Sequence, residues 1–256
     1  MTEVRSLEIR PAARASGGAD LYRRVVRTER TPKLRALFVH GFAEHAGRYE
    51  GFARRAASAG IEMHLLDLPG HGRSPGLRGL LEDAETVAHD FAAIAHELGE
   101  DGIPVALVGH SFGGAMVLRA AQLAGAVVRA VAVTGPYLQS ARPEPAWLLR
   151  LASALSRAFP TVRSMPIDAA AVSNVASEVE AYARDPLVDR GGVRLASVRE
   201  LHALGPRVLA AAARLTMPVI VVQGAEDRLS AVAGAKRLAA TAPNVTLEIV
   251  RQVAHD

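Results

Sequence analysis

The chain has 256 residues, 50% of them hydrophobic, enough for one well-buried core in the size range of α/β enzymes. Its formal charge of +4 comes almost entirely from arginine, with Lys33 and Lys236 the only lysines, and the basic residues are scattered with few aromatics between them, which argues against a nucleic-acid-binding face. The absence of cysteine excludes disulfides and a thiol nucleophile; Met1 to Arg14 lacks the apolar core of a signal peptide and no later segment could span a bilayer, so a cytoplasmic location is the default expectation.

Taken in order, Leu7 to Arg10 and Leu21 to Arg27 read as strands around a Gly17-Gly18 turn, and Leu34 to Val39 as a third. A helix over Gly47 to Ala59 leads to a strand over Ile61 to Leu66, and a helix over Leu81 to Leu98 to the apolar run Val105 to Val108. Phe112 to Ala124 reads as helix and Val128 to Val133 as strand. After a long insertion come the apolar run Pro218 to Val222, a helix over Ala231 to Ala240 and a strand over Val245 to Val250. This βα alternation predicts a mostly parallel sheet covered by helices on both faces. No internal repeat or linker divides the chain, so a single domain is expected, its core formed by residues 1–135 and 211–256.

The insertion, residues 136–210, reads as a helical lid. Pro145 suits the start of a helix in which Leu148, Leu151, Leu155 and Phe159 recur at helical spacing beside Trp147. Such a stripe packs on the core, or else lines an acyl-chain pocket, with Trp147, Leu148 and Leu151 contacting substrate, or touches a lipid surface, the lid then making a weak peripheral membrane contact.

Chemistry concentrates at Gly109-His110-Ser111-Phe112-Gly113, a Gly-x-Ser-x-Gly pattern between a strand and a helix. A serine on so tight a turn projects its hydroxyl above the sheet edge, and the flanking glycines avoid clashes there, which makes Ser111 the candidate nucleophile. A serine needs a base to take its proton and an acid to orient that base. The loop after Pro218 to Val222 offers Asp227, with Glu226 as competitor, and the loop after Val245 to Val250 offers His255; Asp256 reads as a solvated charge. The oxyanion of an acyl-transfer intermediate needs amide donors, and the backbone NH groups of Phe112 and of Phe42, in the loop after Leu34 to Val39, are in place for it. His40, at a strand end, reads as a structural hydrogen-bonding residue.

The run from His40-Gly41-Phe42-Ala43-Glu44-His45 to Tyr49 resembles the signature of monoacylglycerol lipases and lysophospholipases in the serine aminopeptidase S33 group. Asp67-Leu68-Pro69-Gly70-His71-Gly72-Arg73-Ser74, the elbow, and Arg184-Asp185-Pro186-Leu187-Val188 with Gly191-Gly192 are similar to further segments of that group. The resemblance implies an α/β-hydrolase fold, an acyl-enzyme on Ser111 with Asp227 and His255 completing the triad, an oxyanion hole from Phe42 and Phe112, and small-molecule lipid esters as substrates. In the family pattern a final helix follows the histidine loop, whereas this chain stops at Asp256; the expectation is a truncated sequence with a less firmly held His255.

No zinc spacing joins the nine histidines, Gly70-His71-Gly72 lacks the third glycine of a dinucleotide loop, and no Gly-Lys-Ser/Thr occurs, so no cofactor or metal is expected. Three functions compete: a lipid-type serine esterase, an S33-type peptidase with Glu44 or a lid carboxylate holding a substrate ammonium, and a non-catalytic binding protein of the same fold.

Overall fold

A computed structural model of the chain describes residues 6–9, 21–164 and 172–255. Its strands are β1 (Ser6–Ile9), β2 (Arg23–Val26), β3 (Leu34–Val39), β4 (Ile61–Leu66), β5 (Val105–His110), β6 (Val128–Thr134), β7 (Val219–Gly224) and β8 (Val245–Val250). Its α-helices are α1 (Glu50–Ser58), α2 (Ala84–Gly99), α3 (Ser111–Ala124), α4 (Ala146–Ala158), α5 (Ala176–Arg184), α6 (Leu195–Ala210) and α7 (Val232–Thr241). The strands form one sheet in the order β1-β2-β4-β3-β5-β6-β7-β8, antiparallel at the β1/β2 and β2/β4 pairs and parallel elsewhere.

Alternation along the strands builds two cores. Ala36 and Phe38 of β3 face a cluster with Met63, Leu65, Ala53 and Ala57 beneath α1, whereas Leu37 and Val39 face the larger cluster of α2, α3 and α6. α3 is apolar nearly all round, with Met116, Val117 and Leu118 fully buried, as expected of a helix with no solvent face. α2 starts at Ala84 rather than Leu81, because the Asp83 side chain accepts from the Thr86 amide and caps the helix there. The stretch expected to be helical from Gly47 begins as a 3-10 turn over Ala46–Tyr49 and becomes α-helical at Glu50. The first expected strand is seen as Ser6–Ile9; Arg10 and the Gly17-Gly18 turn lie outside the described residues.

Between β6 and β7 the chain forms α4, α5 and α6, and α6 is fastened to the core by polar side chains. The Ser197 hydroxyl accepts from the Leu81 amide (2.8 Å) and donates to the Gly79 carbonyl (2.9 Å), while Glu200 accepts from the Ala84 amide (3.1 Å). Because β3, β5, β6, β7 and β8 run parallel, their C-terminal ends meet at one sheet edge, where open α/β sheets gather their functional loops. Among the described residues no helix is long and apolar enough to cross a membrane.

Candidate active site

β5 passes directly into α3, and Ser111, the first helical residue, sits at φ 53°, in the left-handed region that costs a non-glycine residue about 1–3 kcal/mol. Its neighbours hold it there. A Cβ on Gly109 would lie 2.6 Å from the Gly113 carbonyl oxygen, and one on Gly113 would lie 2.2 Å from that of His40, so both pattern glycines are required by close backbone approach. The Tyr137 amide donates to the Ser111 carbonyl (2.9 Å), tying the elbow to the loop after β6.

Asp227 and His255 come from the loops after β7 and β8 and meet at 2.7 Å, Nδ1 to Oδ2. Asp227 also accepts from the amides of Leu229 and Ser230, both at 2.8 Å, and from the Gln223 side-chain amide at 2.7 Å. Burial pushes this carboxyl upward, but the bond and charge of His255 and the two backbone amides outweigh it and hold the pKa below the usual value. An ionised carboxylate only accepts, so His255 Nδ1 must be the donor, leaving the lone pair on Nε2. The imidazole, 4% exposed, sits against Gly135 and 4.8 Å from the His110 ring, so packing and the Asp227 bond both fix it. Glu226, the competing acid, is exposed.

The loop after β3 approaches the elbow closely enough that a Cβ on Gly41 would lie 3.1 Å from Ser111 Cβ. Phe42 packs edge-on against Phe112 at 6.0 Å and His71 at 4.7 Å, and the Phe112 amide lies in the first turn of α3, where no intrahelical acceptor exists. His40 is fully buried; its Nδ1 donates to the Gly41 carbonyl (2.7 Å) and its Nε2 accepts from the Leu68 amide (3.0 Å). Burial lowers its pKa to about 3, so it is a neutral brace. Glu44 accepts from the Gly41 amide (2.6 Å) and the Tyr49 hydroxyl (2.8 Å) through one oxygen and pairs with Arg48 (3.0 Å) through the other. The Asp185–Asp189 segment clasps the same loop through His45–Asp185 (2.8 Å) and the Asp189 amide on the Ala43 carbonyl (2.7 Å).

Ser111, Phe42, Phe112 and His255 line one cavity of about 500 Å³. Its apolar walls are Val172, Val193, Val198, Leu201 and Leu229, and its polar groups include Tyr137, Ser140, Arg142, Glu144, His202 and Arg228. Trp147, Leu148 and Leu151 are not on its walls: they lie on the outer face of α4, 67%, 37% and 48% exposed. The wall comes instead from α6, where Val198, Leu201 and His202 share a face at the i, i+3, i+4 spacing; that periodicity was the available signal. Among the described residues no group of three His, Asp or Glu side chains could hold a metal ion.

A strained serine on a strand-to-helix elbow, sharing a cavity with an acid-oriented histidine at the C-terminal edge of this sheet, defines a serine hydrolase of the α/β-hydrolase fold. The family model for the serine aminopeptidase S33 group matches residues 30–256, and the chain belongs to that family. It is 34% identical over 224 residues to a monoacylglycerol lipase of Mycolicibacterium smegmatis, covering 87% of this chain and 80% of that protein. It is 33% identical over 245 residues to the human monoglyceride lipase, covering 93% and 80%. Among solved structures it resembles the monoacylglycerol lipase of Paleococcus ferrophilus, with a TM-score of 0.84 at 29% identity over 93% of this chain and 91% of that one.

Proposed function

We propose that the chain cleaves carboxylic esters of lipid type, monoacylglycerols or lysophospholipids, through an acyl-enzyme on Ser111. The observation that carries this reading is the Asp227–His255 pair at 2.7 Å beside an elbow serine in a cavity whose walls are largely apolar. In this mechanism His255 Nε2 takes the Ser111 proton as Oγ attacks the ester carbonyl, and the Phe42 and Phe112 amides receive the developing oxyanion. The imidazolium then returns the proton to the departing alcohol, and water repeats the cycle to release the acid.

The ester reading is favoured over peptidase action by the cationic Arg142 and Arg228 that share the cavity wall with the lid carboxylate Glu144, and by the state of Glu44. Both Glu44 oxygens are engaged, by Gly41, Tyr49 and Arg48, which leaves little capacity for a substrate ammonium. The segment 136–210 acts as the lid in this reading, and the exposed stripe of Trp147, Leu148, Leu151, Leu155 and Phe159 is its lipid-facing side.

Hydrolysis of p-nitrophenyl esters from acetate to palmitate, by the chain and by Ser111→Ala, tests the reading. Ser111-dependent turnover of medium or long esters is expected, with fluorophosphonate labelling at Ser111. A folded protein that turns over none of them, or that retains full activity as Ser111→Ala, overturns it. Co-sedimentation with phosphatidylcholine vesicles, weakened in Trp147→Ser and Leu151→Ser, checks the lipid-facing role of α4.

A further inference from the structure

Most arginines near the loops of this fold are committed to carboxylates: Arg35 to Glu62 and Asp101, Arg119 to Glu85, Arg163 to Asp189, Arg199 to Glu200. Arg142 and Arg228 are different. Both line the cavity that holds Ser111, both are exposed to solvent, and among the described residues neither has a carboxylate within ion-pair distance. They are brought to one place by an antiparallel bridge between Ser140 and Ser230, closed by the Ala141 amide on the Leu229 carbonyl (3.0 Å) and the Ala231 amide on the Gln139 carbonyl (2.9 Å). Each arginine lies two residues from the bridge, Arg142 after Ser140 and Arg228 before Ser230, and an antiparallel register carries two such residues to the same end.

The surrounding charges leave this pair available. Asp227, next to Arg228, is enclosed and has both oxygens occupied, and Glu44 is likewise engaged. Among the described residues Glu144 is the one further carboxylate on the cavity wall, where its charge acts on Tyr137 and His202. Among the described residues two guanidinium groups without an ion pair face one such carboxylate, a cationic balance, and paired guanidiniums suit the planar, multidentate recognition of a phosphate.

The side of the cavity also matters. His255 must hand its proton to the leaving oxygen, so the alcohol part of a bound ester lies towards His255, and Arg228 sits in the same loop as the acid that orients that histidine. We propose that Arg142 and Arg228 form an anion subsite for the alcohol portion of the ester, so that the preferred substrates are acyl esters carrying a phosphate on their alcohol side. This rests on the ester-hydrolase reading above and narrows it.

The test uses two water-soluble esters, monobutyrylglycerol and its phosphate monoester, so that attraction of a basic protein to an anionic lipid surface plays no part. The wild type is expected to prefer the phosphorylated ester in kcat/KM. Arg142→Gln and Arg228→Gln should each reduce that preference about fivefold, in the range of a partly exposed ion pair, and the double variant by more than about tenfold. Glu144→Gln should increase it. Calorimetric binding of the two esters to Ser111→Ala, with and without the arginine substitutions, reads the subsite without turnover. A preference unchanged in the double variant, or equal loss on both esters, overturns the proposal. Inorganic phosphate binding Ser111→Ala as tightly as the phosphorylated ester would identify a free-anion site and also overturn it. Failure of the ester-hydrolase reading looks different: neither ester is cleaved by the wild type and fluorophosphonate leaves Ser111 unlabelled, while binding to Ser111→Ala still reports on the arginines.

Discussion

Replacing Asp227 by Asn tests the acid's role with almost no change of shape. The carboxylate accepts four hydrogen bonds: Oδ1 takes the amides of Leu229 and Ser230, both at 2.8 Å, and Oδ2 takes His255 Nδ1 and Gln223 Nε2, both at 2.7 Å. An asparagine must keep its oxygen on the two backbone amides, because those donors cannot turn away, so its NH₂ group faces His255 and Gln223. Gln223 can rotate its amide and offer Oε1, which otherwise lacks a partner. His255 accommodates the NH₂ only by accepting at Nδ1, which puts its proton on Nε2 and removes the lone pair that would deprotonate Ser111. Folding should therefore survive while kcat falls about 10⁴-fold, the loss typical of a triad held in the wrong tautomer. The assay is kcat on p-nitrophenyl butyrate with a thermal melt alongside; the downfield proton resonance of a His255 Nδ1–H bonded to carboxylate should also vanish. A folded Asp227→Asn protein within tenfold of wild-type kcat would refute the tautomer argument.

Three further outcomes follow from the geometry. Gly113→Ala places a Cβ 2.2 Å from the His40 carbonyl oxygen and 2.3 Å from that of Val39, so it should cost about 1–3 kcal/mol or more in urea unfolding and displace the elbow, lowering kcat as well. His40 and His71 are held neutral by burial, with pKa values lowered to about 3 and about 4. The unfolded chain takes up protons below about pH 6.5 that the folded chain refuses, so this stability is full above that pH and declines as pH falls towards the folded values, by about 1.4 kcal/mol per pH unit for each histidine. Urea unfolding at pH 7 and pH 5 should thus differ by about 2 kcal/mol per histidine, and a flat profile would show that the folded state protonates them. Leu201→Trp fills part of the cavity between α6 and Ser111 and should shift the ester-length profile from palmitate towards acetate; an unchanged profile would mean that acyl chains do not run along α6.

The parts of this molecule legible in its sequence are those whose signal is local. The β3 and β5 runs, the elbow between strand and helix, and the order of serine, acid and histidine loops are all written in short stretches, because a parallel strand buried on both faces must be apolar throughout and a tight turn must carry glycine. Gly109 and Gly113 illustrate this: the close approaches that demand them are made across one turn and to the neighbouring strand β3. Element ends were less legible. Asp83 sets the start of α2 through its side-chain bonds to Thr86, which outweigh the apolar Leu81 that the spacing alone would include.

The apolar stripe of α4 shows why the remainder was hidden. Periodicity along α4 identifies residues that share a helix face, but it carries no information about what that face meets, since an apolar stripe satisfies the same spacing against a core, a cavity or lipid. The decision is made elsewhere in the chain. Ser197 and Glu200 bond to Gly79, Leu81 and Ala84 and so fasten α6 to the start of α2, while α6 also packs on α3, which places α6 rather than α4 beside Ser111. α4 is then left packed on the far side of α6 with Trp147, Leu151 and Phe159 turned outward. The surroundings of the α4 stripe therefore depend on contacts that α6 makes with other parts of the chain, and no reading of α4 alone contains that information.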